Sequence, residues 1–407
     1  MQGLNGRRPL RILAADDSAV MRGIMRTLFV RHANEARRDL PPMELVGMAR
    51  DGVECLDAIQ KLSPDALVLD LEMPRLTGLE VLDRLKGVRS SLPVIMCSAH
   101  TERGARATLD ALARGASDYI MKPTGQRDFE SALASLAQQL LPRLAALASR
   151  GRPKLQPSAN PNPVAAASLK RPVAVERVDN PVEVVVIGVS TGGPAALEQL
   201  LPILPAQFSV PILIVQHMPR LFTGVLAERL DRCCSLKVEE AYHGAMISPG
   251  TIWLAPGDAH MEIMSQLLCR PGSSEIMRGA GVKLHWQAPL NHCRPSVDYL
   301  FHSAARLYGA GTLAVVLTGM GSDGLDGAQA IHACGGTVLA QDEASSAVWG
   351  MPGRIAESGI AAAVLPLTGI ARELNHRTGT IRVAASGMTL MTAKTIALRR
   401  EVPHGVL

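Results

Sequence analysis

Short apolar segments rich in β-branched residues alternate with amphipathic segments along the first third of the chain. Each apolar segment ends at a polar residue or at a Gly or Pro turn signal, which is typical of buried strands. We predict strands at residues 11–15, 43–49, 66–70, 94–98 and 118–122. Because helical patterns separate them, the strands are expected to form a parallel, doubly wound sheet. A first α/β domain is therefore predicted over residues 1–141.

The periodicity fails between residues 142 and 181, where prolines and basic side chains are concentrated. The prolines are Pro153, Pro157, Pro161, Pro163 and Pro172, and the basic residues are Arg150, Arg152, Lys154, Lys170, Arg171 and Arg177. Proline-rich segments of this kind act as semi-rigid spacers. We predict a basic interdomain linker over residues 142–181, which accounts for the excess positive charge of the chain.

The alternation of strand and helix patterns resumes at residue 182. Buried strands are predicted at residues 182–189, 211–217, 312–319, 336–342 and 361–365. Residues 236–287 are richer in short strands and turns, so we predict a β-rich insertion there. The pattern as a whole predicts a second doubly wound α/β domain over residues 182–375, followed by a weakly patterned tail over residues 376–407.

Composition places the chain among globular proteins and argues against some classes of partner. Of its 407 residues, 47% are hydrophobic and 19% are charged, which excludes a wholly disordered chain and a coiled coil. The net charge of +5 is small, and aromatic residues make up only 3%, so few rings are present to stack on single-stranded bases. We therefore expect no nucleic-acid partner.

Cysteine usage and hydropathy indicate the cytoplasm. The seven cysteines are odd in number and never spaced as C-x-x-C, so their spacing predicts neither a disulfide framework nor a zinc site. The start of the chain lacks the long apolar region of a signal peptide, and no apolar run approaches the roughly 18 residues of a membrane span. We predict a cytoplasmic protein without membrane insertion.

Polar side chains collect at the predicted carboxyl ends of the first-domain strands. Asp16 and Asp17 follow the first strand, Asp70 ends the third, Ser98 ends the fourth and Lys122 ends the fifth. Ligands of open α/β sheets bind at this edge, and three carboxylates there need a cation such as Mg²⁺. Such a site suits an aspartate that attacks a phosphoryl group, and Asp70 is the predicted nucleophile. The alternative is that each acidic residue only caps a helix.

These residues resemble the motifs of response regulator receiver domains. The matching positions are Ala15-Asp16-Asp17-Ser18, Leu69-Asp70-Leu71-Glu72-Met73-Pro74, Gly78, Ser98, Tyr119 and Lys122-Pro123. The resemblance implies a flavodoxin-like domain with a five-stranded parallel sheet, in which Asp70 accepts phosphate from a histidine kinase of the chemotaxis type. It implies a Mg²⁺ ion held by Asp17, Asp70 and the backbone carbonyl of Glu72, with Asp16 in support. The switch residues that it implies are Lys122, Ser98 and Tyr119.

A strand-to-helix turn in the second domain contains a serine between glycines. The segment Gly188-Val189-Ser190-Thr191-Gly192 follows a predicted strand, and Pro194 stands at the start of a helical pattern. G-x-S-x-G in this position describes a nucleophile elbow, whose glycines permit the sharp turn and whose helix start supports a developing oxyanion. The alternative is that Ser190 only caps the helix. A dinucleotide-binding loop is disfavoured because Ser190 occupies the position of its second glycine.

A nucleophilic serine needs a base, and the base needs a group that orients it. His217 ends a predicted strand, and Asp323 lies in a glycine-rich segment that leaves another strand, so both are expected at the same sheet edge as Ser190. The chain order serine, histidine, aspartate differs from that of the α/β-hydrolases. The alternatives are a structural histidine at a strand end and glycines that only mark a turn.

The second half of the chain resembles the catalytic domain of the chemotaxis protein-glutamate methylesterases, the CheB family. The similar blocks are residues 188–194, 216–218, 255–258, 294–298, 317–324 and 350–352. With the receiver in front, the likeness extends over residues 11–374. It implies a nucleophile at Ser190, a general base at His217 and an orienting acid at Asp323. It also implies an oxyanion-hole N–H at Met320 and a position near the site for Thr191.

This resemblance implies hydrolysis of glutamate γ-methyl esters on the cytoplasmic domains of methyl-accepting chemoreceptors, which yields glutamate and methanol for adaptation in chemotaxis. Some relatives also deamidate glutamine, and ester hydrolysis would need no cofactor. The receiver is expected to cover the active site until phosphorylation shifts it. Two competing functions lack their signals: a DNA-binding output needs a basic helix-turn-helix pattern, and a nucleotide-dependent enzyme needs a P-loop lysine.

Overall fold

The computed structural model describes residues 8–34, 40–87, 91–123, 128–148, 181–269 and 276–379. Residues 149–180 of the predicted linker and residues 380–407 of the predicted tail lie outside these ranges. Within the ranges described, no helix has both the length and the apolar character that crossing a membrane requires.

The first domain is built on a parallel sheet of five strands. Its elements are β1 (Leu10–Ala15), α1 (Ala19–Asn34), β2 (Met43–Ala49), α2 (Gly52–Leu62), β3 (Ala66–Asp70), α3 (Gly78–Leu85), β4 (Val94–Ser98), α4 (Glu102–Ala113), β5 (Asp118–Met121) and α5 (Phe129–Ala148). The strand order is β2-β1-β3-β4-β5, the flavodoxin-like order. All residues of β3 and β4 are buried, because helices cover both faces of the sheet. The predicted fold of this domain is confirmed.

Helix α5 corrects the predicted position at which the periodicity fails. It continues through Pro142 to Ala148, although proline removes one hydrogen bond from a helix interior. Leu140, Leu144 and Leu147 are buried in the core on one face of the first sheet. Burial of these leucines on both sides of the proline stabilises the continued helix. The local sequence signal at Pro142 is therefore overridden by tertiary packing.

The second domain is built on a parallel sheet of seven strands. Its elements are β6 (Val184–Val189), α6 (Gly193–Leu200), β7 (Ile212–Gln216), α7 (Arg220–Cys233), β8 (Lys237–Glu240), β9 (Thr251–Leu254), β10 (His260–Cys269), β11 (Ile276–His285), α8 (Val297–Tyr308), β12 (Thr312–Val316), α9 (Leu325–Ala333), β13 (Thr337–Gln341), α10 (Met351–Glu357), β14 (Ala363–Leu365) and α11 (Leu367–Arg377). The strand order is β14-β13-β12-β6-β7-β9-β8. The predicted α/β class is confirmed.

The predicted β-rich insertion is only partly separate from this sheet. Strands β8 and β9 extend the main sheet in parallel beside β7, whereas β10 and β11 form a separate antiparallel hairpin, of which β11 also bonds to residues 244–247. The middle of β9 is buried because Ile252 and Leu254 point to the core beneath α7 and Trp253 to the opposite face. A short strand's membership of a sheet depends on its neighbours, which its own pattern does not specify.

The ends of one strand and one helix in the second domain illustrate how predicted boundaries differ from those of the structure. Strand β12 ends at Val316, before the predicted end at residue 319, because the chain leaves the sheet there to contact the β6 turn. Helix α11 continues to Arg377, so the boundary predicted at residue 375 falls inside this helix.

The two domains contact each other through helices and one aromatic pair. Helix α4 of the first domain packs against α6 and α7 of the second. The Tyr119 ring stacks on Phe222 with 4.7 Å between the ring centroids. The first domain therefore lies against the helix that follows β7.

Candidate active site

The turn after β6 places Ser190 at the carboxyl edge of the second sheet. The Ser190 N–H donates to the Thr318 carbonyl oxygen at 3.0 Å, and the Gly193 N–H donates to the Ser190 carbonyl oxygen at 2.9 Å. Gly192 has a φ of +77°, a conformation that side chains disfavour. A Cβ atom at Gly193 would lie 1.9 Å from Gln216 Oε1. The glycines thus permit a tight strand-to-helix turn of the nucleophile-elbow type.

His217 and Asp323 lie beside this turn and contact each other. The His217 N–H donates to the Val189 carbonyl oxygen at 3.1 Å, so His217 follows the strand next to that of Ser190. His217 Nε2 lies 2.7 Å from Asp323 Oδ2. Within the described ranges, the Ser190 hydroxyl makes no hydrogen bond. The structure therefore gathers the three predicted residues at one edge and joins the histidine to the aspartate.

Three further donors hold the Asp323 carboxylate. Ser296 Oγ donates at 2.6 Å, the Val297 N–H at 2.7 Å and Asn291 Nδ2 at 3.1 Å. Burial by itself would raise the pKa of Asp323. The contact with His217 and the hydrogen bonds from these donors outweigh burial, so the pKa lies below its ordinary value. Burial in turn favours a lowered pKa for His217, but the Asp323 carboxylate outweighs burial and raises it. The surroundings thus stabilise an imidazolium ion against a fixed carboxylate.

A thiol that the sequence did not predict lies at the other ring nitrogen of His217. Cys293 Sγ is 3.6 Å from His217 Nδ1. Reciprocal backbone hydrogen bonds between Leu290 and Cys293, at 3.1 and 2.8 Å, close the turn that holds the thiol. Asn291 and His292, inside this turn, have positive φ values of 52° and 62°. No spacing rule links residue 293 to residue 217, so only the folded turn reveals the contact.

Other residues around Asp323 were also assigned no role from the sequence. Ser296 lies in the block 294–298 that resembles the methylesterase family, and this block was the available signal for it. Asp298 accepts hydrogen bonds from Asn291 Nδ2 at 2.8 Å and from the Gly327 N–H at 2.8 Å. Burial, reinforced by the nearby Asp323 carboxylate, raises the pKa of Asp298 above its ordinary value. Asn291 therefore bridges two buried carboxyl groups.

The peptide group between Gly319 and Met320 is fixed with its N–H available. The Gly319 carbonyl oxygen accepts hydrogen bonds from the Gly350 N–H at 3.0 Å and the Met351 N–H at 2.8 Å. Because a trans peptide is planar, these bonds direct the Met320 N–H the opposite way. In the part of the chain that the structure describes, this N–H has no hydrogen-bond acceptor. It is a donor available to a ligand near Ser190.

Thr191, next to Ser190, contacts the first domain. Thr191 Oγ1 donates to Asp118 Oδ2 at 2.8 Å, and Arg143 Nε donates to the same oxygen at 3.0 Å. Thr191 and Asp118 are each only 5% exposed, so the contact is shielded from water. The first domain therefore lies directly against the Ser190 turn. Asp118 was not predicted because it lies at the amino end of β5, away from the motif-bearing edge.

The acidic residues predicted in the first domain come together at the carboxyl edge of its sheet. Carboxylate oxygens of Asp16, Asp17 and Asp70 lie within 4.8 Å of one another. Lys122 Nζ donates to Asp70 Oδ2 at 2.7 Å and lies 3.2 Å from Asp16 Oδ2. The topology explains this cluster, since β1 and β3 are neighbours in the sheet.

The other predicted residues of this domain lie in different surroundings. Ser98 is buried, and its hydroxyl accepts a hydrogen bond from Thr108 Oγ1 at 2.7 Å. Tyr119 is buried against Phe222 of the second domain. The Glu72 side chain is exposed, which suits a role for its backbone carbonyl rather than for its carboxylate.

The acidic cluster fits a divalent cation. Burial, the nearby Asp16 carboxylate and Asp17 raise the pKa of Asp70 to about 6, even though Lys122 opposes the shift. Burial also raises the pKa of Asp16, whose buried Oδ2 lies 3.2 Å from the Lys122 ammonium but makes no well-formed hydrogen bond with the described residues. One ammonium does not neutralise three carboxylates. Mg²⁺ prefers this kind of oxygen-only donor set.

Comparison with known families divides the chain into the same two parts. The family described as "Response regulator receiver domain" matches residues 12–134. The family described as "CheB methylesterase" matches residues 185–374. The Ser190 turn, His217 and Asp323 lie within the second match, and the acidic cluster lies within the first.

Curated relatives match along nearly the whole chain. A protein of Trichodesmium erythraeum named protein-glutamate methylesterase/protein-glutamine glutaminase is 43% identical over 369 residues, covering 91% of this chain and 99% of that protein. A Caulobacter vibrioides protein named protein-glutamate methylesterase/protein-glutamine glutaminase 2 is 42% identical, covering 88% of this chain and 96% of that protein. The crystal structure of the Thermotoga maritima CheB methylesterase catalytic domain is 42% identical and covers 48% of this chain and 98% of that domain, with a TM-score of 0.44. This chain therefore belongs to the CheB methylesterase family and combines its catalytic domain with a response regulator receiver domain.

Proposed function

We propose that this protein is a phosphorylation-regulated serine hydrolase that removes methyl groups from glutamate γ-methyl esters on the cytoplasmic domains of chemoreceptors. It would release methanol and restore glutamate during chemotactic adaptation, and it would deamidate glutamine at similar positions. The hydrogen-bonded pair of His217 and Asp323 beside the Ser190 turn is the observation that carries this proposal. The names of the curated relatives support both the ester and the amide as substrates.

The first half of the reaction forms an acyl-enzyme. Ser190 Oγ attacks the ester carbonyl carbon while His217 Nδ1 takes the serine proton, because Nε2 already contacts Asp323. The Asp323 carboxylate stabilises the imidazolium that forms. The bond to the methoxy group then breaks, and His217 returns the proton to the departing methanol.

The second half regenerates the serine. Water attacks the acyl carbon while His217 again takes a proton, and His217 returns this proton to Ser190 Oγ as the acyl–oxygen bond breaks and glutamate leaves. The Met320 N–H donates to the oxyanion in both tetrahedral intermediates, since its peptide is fixed by Gly350 and Met351. A glutamine side chain follows the same route with ammonia as the leaving group. Ester hydrolysis by these residues needs no cofactor.

The first domain would regulate this reaction by phosphorylation of Asp70 by a chemotaxis-type histidine kinase. Asp17, Asp70 and the Glu72 carbonyl would hold Mg²⁺, with Asp16 in support, and the ion would neutralise negative charge during phosphoryl transfer. The residues that would respond to the phosphoryl group are Lys122, Ser98 and Tyr119. Lys122 already contacts Asp70, and Tyr119 contacts the second domain.

The structure corresponds to a closed arrangement in this proposal. Asp118 accepts a hydrogen bond from Thr191 beside the nucleophile, and the Tyr119 ring lies on Phe222. Phosphorylation would favour states in which these contacts are broken and the receptor reaches Ser190.

The proposed units are a receiver over residues 1–148, a linker over 149–181, a catalytic domain over 182–377 and a tail. These boundaries adjust the predicted ones to the observed ends of α5 and α11. A cytoplasmic location follows from the proposed substrate.

Methanol release from methylated receptor, with and without a small phosphodonor such as acetyl phosphate, tests the proposal. We expect release by the natural protein, faster release with phosphodonor and Mg²⁺, and no release by Ser190→Ala. Ser190→Ala should still incorporate phosphate at Asp70, which serves as its folding control. Methanol release by a pure Ser190→Ala sample would remove the serine from the mechanism.

A further inference from the structure

We propose that His217 Nδ1 and Cys293 Sγ form a binding site for a borderline-soft divalent cation such as Zn²⁺, and that the bound ion switches off hydrolysis. Cysteine spacing along the sequence predicts no zinc site, and His217, which contacts Cys293, lies 76 positions from it. The two ligand atoms meet only in the folded chain. Binding itself does not depend on the proposed function, whereas inhibition does.

The separation of the two atoms matches that of ligands on one tetrahedral zinc ion. Zinc lies about 2.3 Å from thiolate sulfur and about 2.0–2.1 Å from imidazole nitrogen, so a tetrahedral angle places the two ligands about 3.6 Å apart. His217 Nδ1 and Cys293 Sγ are 3.6 Å apart. Binding would therefore require the loss of the thiol proton but no change in the separation of the two ligand atoms.

Asp323 supplies the usual support for a metal-bound histidine. A histidine ligand commonly donates its second ring N–H to a carboxylate, which fixes the ring and strengthens the ligand. His217 Nε2 lies 2.7 Å from Asp323 Oδ2, and Ser296 and Val297 hold that carboxylate in place. The ring thus presents Nδ1 in one orientation.

The thiol is also held in place and accessible. The Leu290–Cys293 turn is closed by its own backbone hydrogen bonds, so little ordering is needed when an ion binds. Cys293 is partly exposed, so an ion bound to it remains accessible to water. Water would complete the coordination there.

Occupation of Nδ1 would stop the reaction because the same atom takes the proton of Ser190. The first-domain cluster offers only carboxylate and ammonium groups, which suit Mg²⁺, whereas nitrogen and thiolate ligands suit Zn²⁺. One chain would therefore have two cation sites of opposite chemical preference and opposite effect on activity.

Cobalt titration of the full-length protein, in a non-thiol reductant and with excess Mg²⁺, tests the binding. Co²⁺ at this site should produce a thiolate-to-cobalt charge-transfer absorption that Zn²⁺ abolishes by displacement. Cys293→Ser and Cys293→Ala should both lose the band, while Cys334→Ser, at an exposed cysteine that ends α9, should keep it. Asp323→Asn should weaken zinc binding about 10- to 100-fold. Absence of the band in the natural protein, or its persistence in both Cys293 variants, would overturn the site.

Methanol release in a zinc series, normalised for each variant to its rate without zinc, tests the inhibition. The natural protein and Cys334→Ser should be inhibited and recover on addition of a chelator, whereas Cys293→Ser should need at least roughly tenfold more zinc. A cobalt band without inhibition would refute the regulatory half while the site stands. Failure of the proposed function would be distinct, since no methanol would form even without zinc.

Discussion

The buried, acidic surroundings of Asp70 disfavour its anionic form. It is 3% exposed, and burial together with Asp16 raises its pKa to about 6 despite the contact with Lys122. A carboxyl group whose pKa is raised by folding contributes stability while protonated, and this contribution is lost as pH rises through the folded pKa. The ionised group therefore lowers the stability of the cation-free receiver at neutral pH.

Replacement of this carboxylate by an amide should stabilise the protein at neutral and higher pH. A shift from 3.8 to about 6 corresponds to up to about 3 kcal/mol at pH values above the folded pKa. We expect Asp70→Asn to raise the unfolding temperature of the receiver at about pH 8 without Mg²⁺, and the gain to shrink at about pH 5. Calorimetry at both pH values measures this.

Asp57→Asn is the matched control, because Asp57 is exposed on α2 and should give no such gain. Mg²⁺ should remove most of the advantage of Asp70→Asn, since the cation stabilises only the carboxylate form. A destabilised Asp70→Asn protein at about pH 8 would mean that the ion pair with Lys122 outweighs burial.

Helices α4 and α7 join the domains by exposed ion pairs. Arg106 Nη2 lies 3.0 Å from Glu228 Oε2, and Arg229 Nη1 lies 2.5 Å from Asp110 Oδ1. Pairs of this exposure contribute about 0.2–1 kcal/mol each, so the contact can break at modest cost. These helices therefore suit the reversible closed arrangement proposed above.

Charge reversal on one of these helices should favour the open arrangement. We expect Arg106→Glu to raise the methanol release of unphosphorylated protein about 2- to 5-fold, because attraction to Glu228 becomes repulsion. The double variant Arg106→Glu/Glu228→Arg should restore the low rate. An unchanged rate in the single variant would show that this helix pair does not limit access to Ser190.

The ends of helices and the edges of sheets are the places where the local sequence pattern is insufficient to predict the structure. Strands β1 to β5 lie within a residue of their predicted positions, because strand length and burial follow directly from alternating patterns. Helix α5 continues through Pro142 because its leucines are buried on both sides of the proline. Strand β9 belongs to the main sheet because β7 lies beside it.

The domain interface combines tight contacts with imperfect filling. Tyr119 and Phe222 stack closely, yet a cavity of about 330 Å³ lies between the two domains, lined by Ser91, Ala116, Gly192 and Gln199 among others. Interfaces between domains of one chain commonly permit relative motion unless they are large and well packed. The closed form is therefore consistent with a regulated, separable contact.

Removal of residues 1–148 should release the catalytic domain from this contact. We expect methanol release to rise above that of the unphosphorylated full chain and to lose its response to phosphodonor, because Asp118 no longer covers Thr191. The control is full-length Asp70→Asn, which keeps the receiver but lacks the phosphorylation site and should stay slow. A truncated protein that is folded and yet no faster would refute inhibition by the receiver.

Much of the site was predictable because its residues occupy strand ends. Asp70 ends a buried strand, Asp16, Ser190 and His217 each follow one, and parallel topology brings the ends of neighbouring strands to one edge. Asp323 was predicted from a glycine-rich segment rather than from a strand end, and its contact with His217 is observed. The direct Ser190–His217 hydrogen bond expected of a complete triad is not formed in the residues described, and the roles of all three remain proposals.

The sequence by itself determined the order of most elements, the two α/β sheets and which polar side chains meet at their carboxyl edges, because hydrophobic periodicity and strand-end motifs act over a few neighbouring residues. The tertiary structure alone decided that Cys293 contacts His217, that Thr191 contacts Asp118, and that β8 and β9 join the main sheet. These contacts join residues far apart in the chain. Their free energies depend on loop conformation and packing between elements, which no local pattern contains.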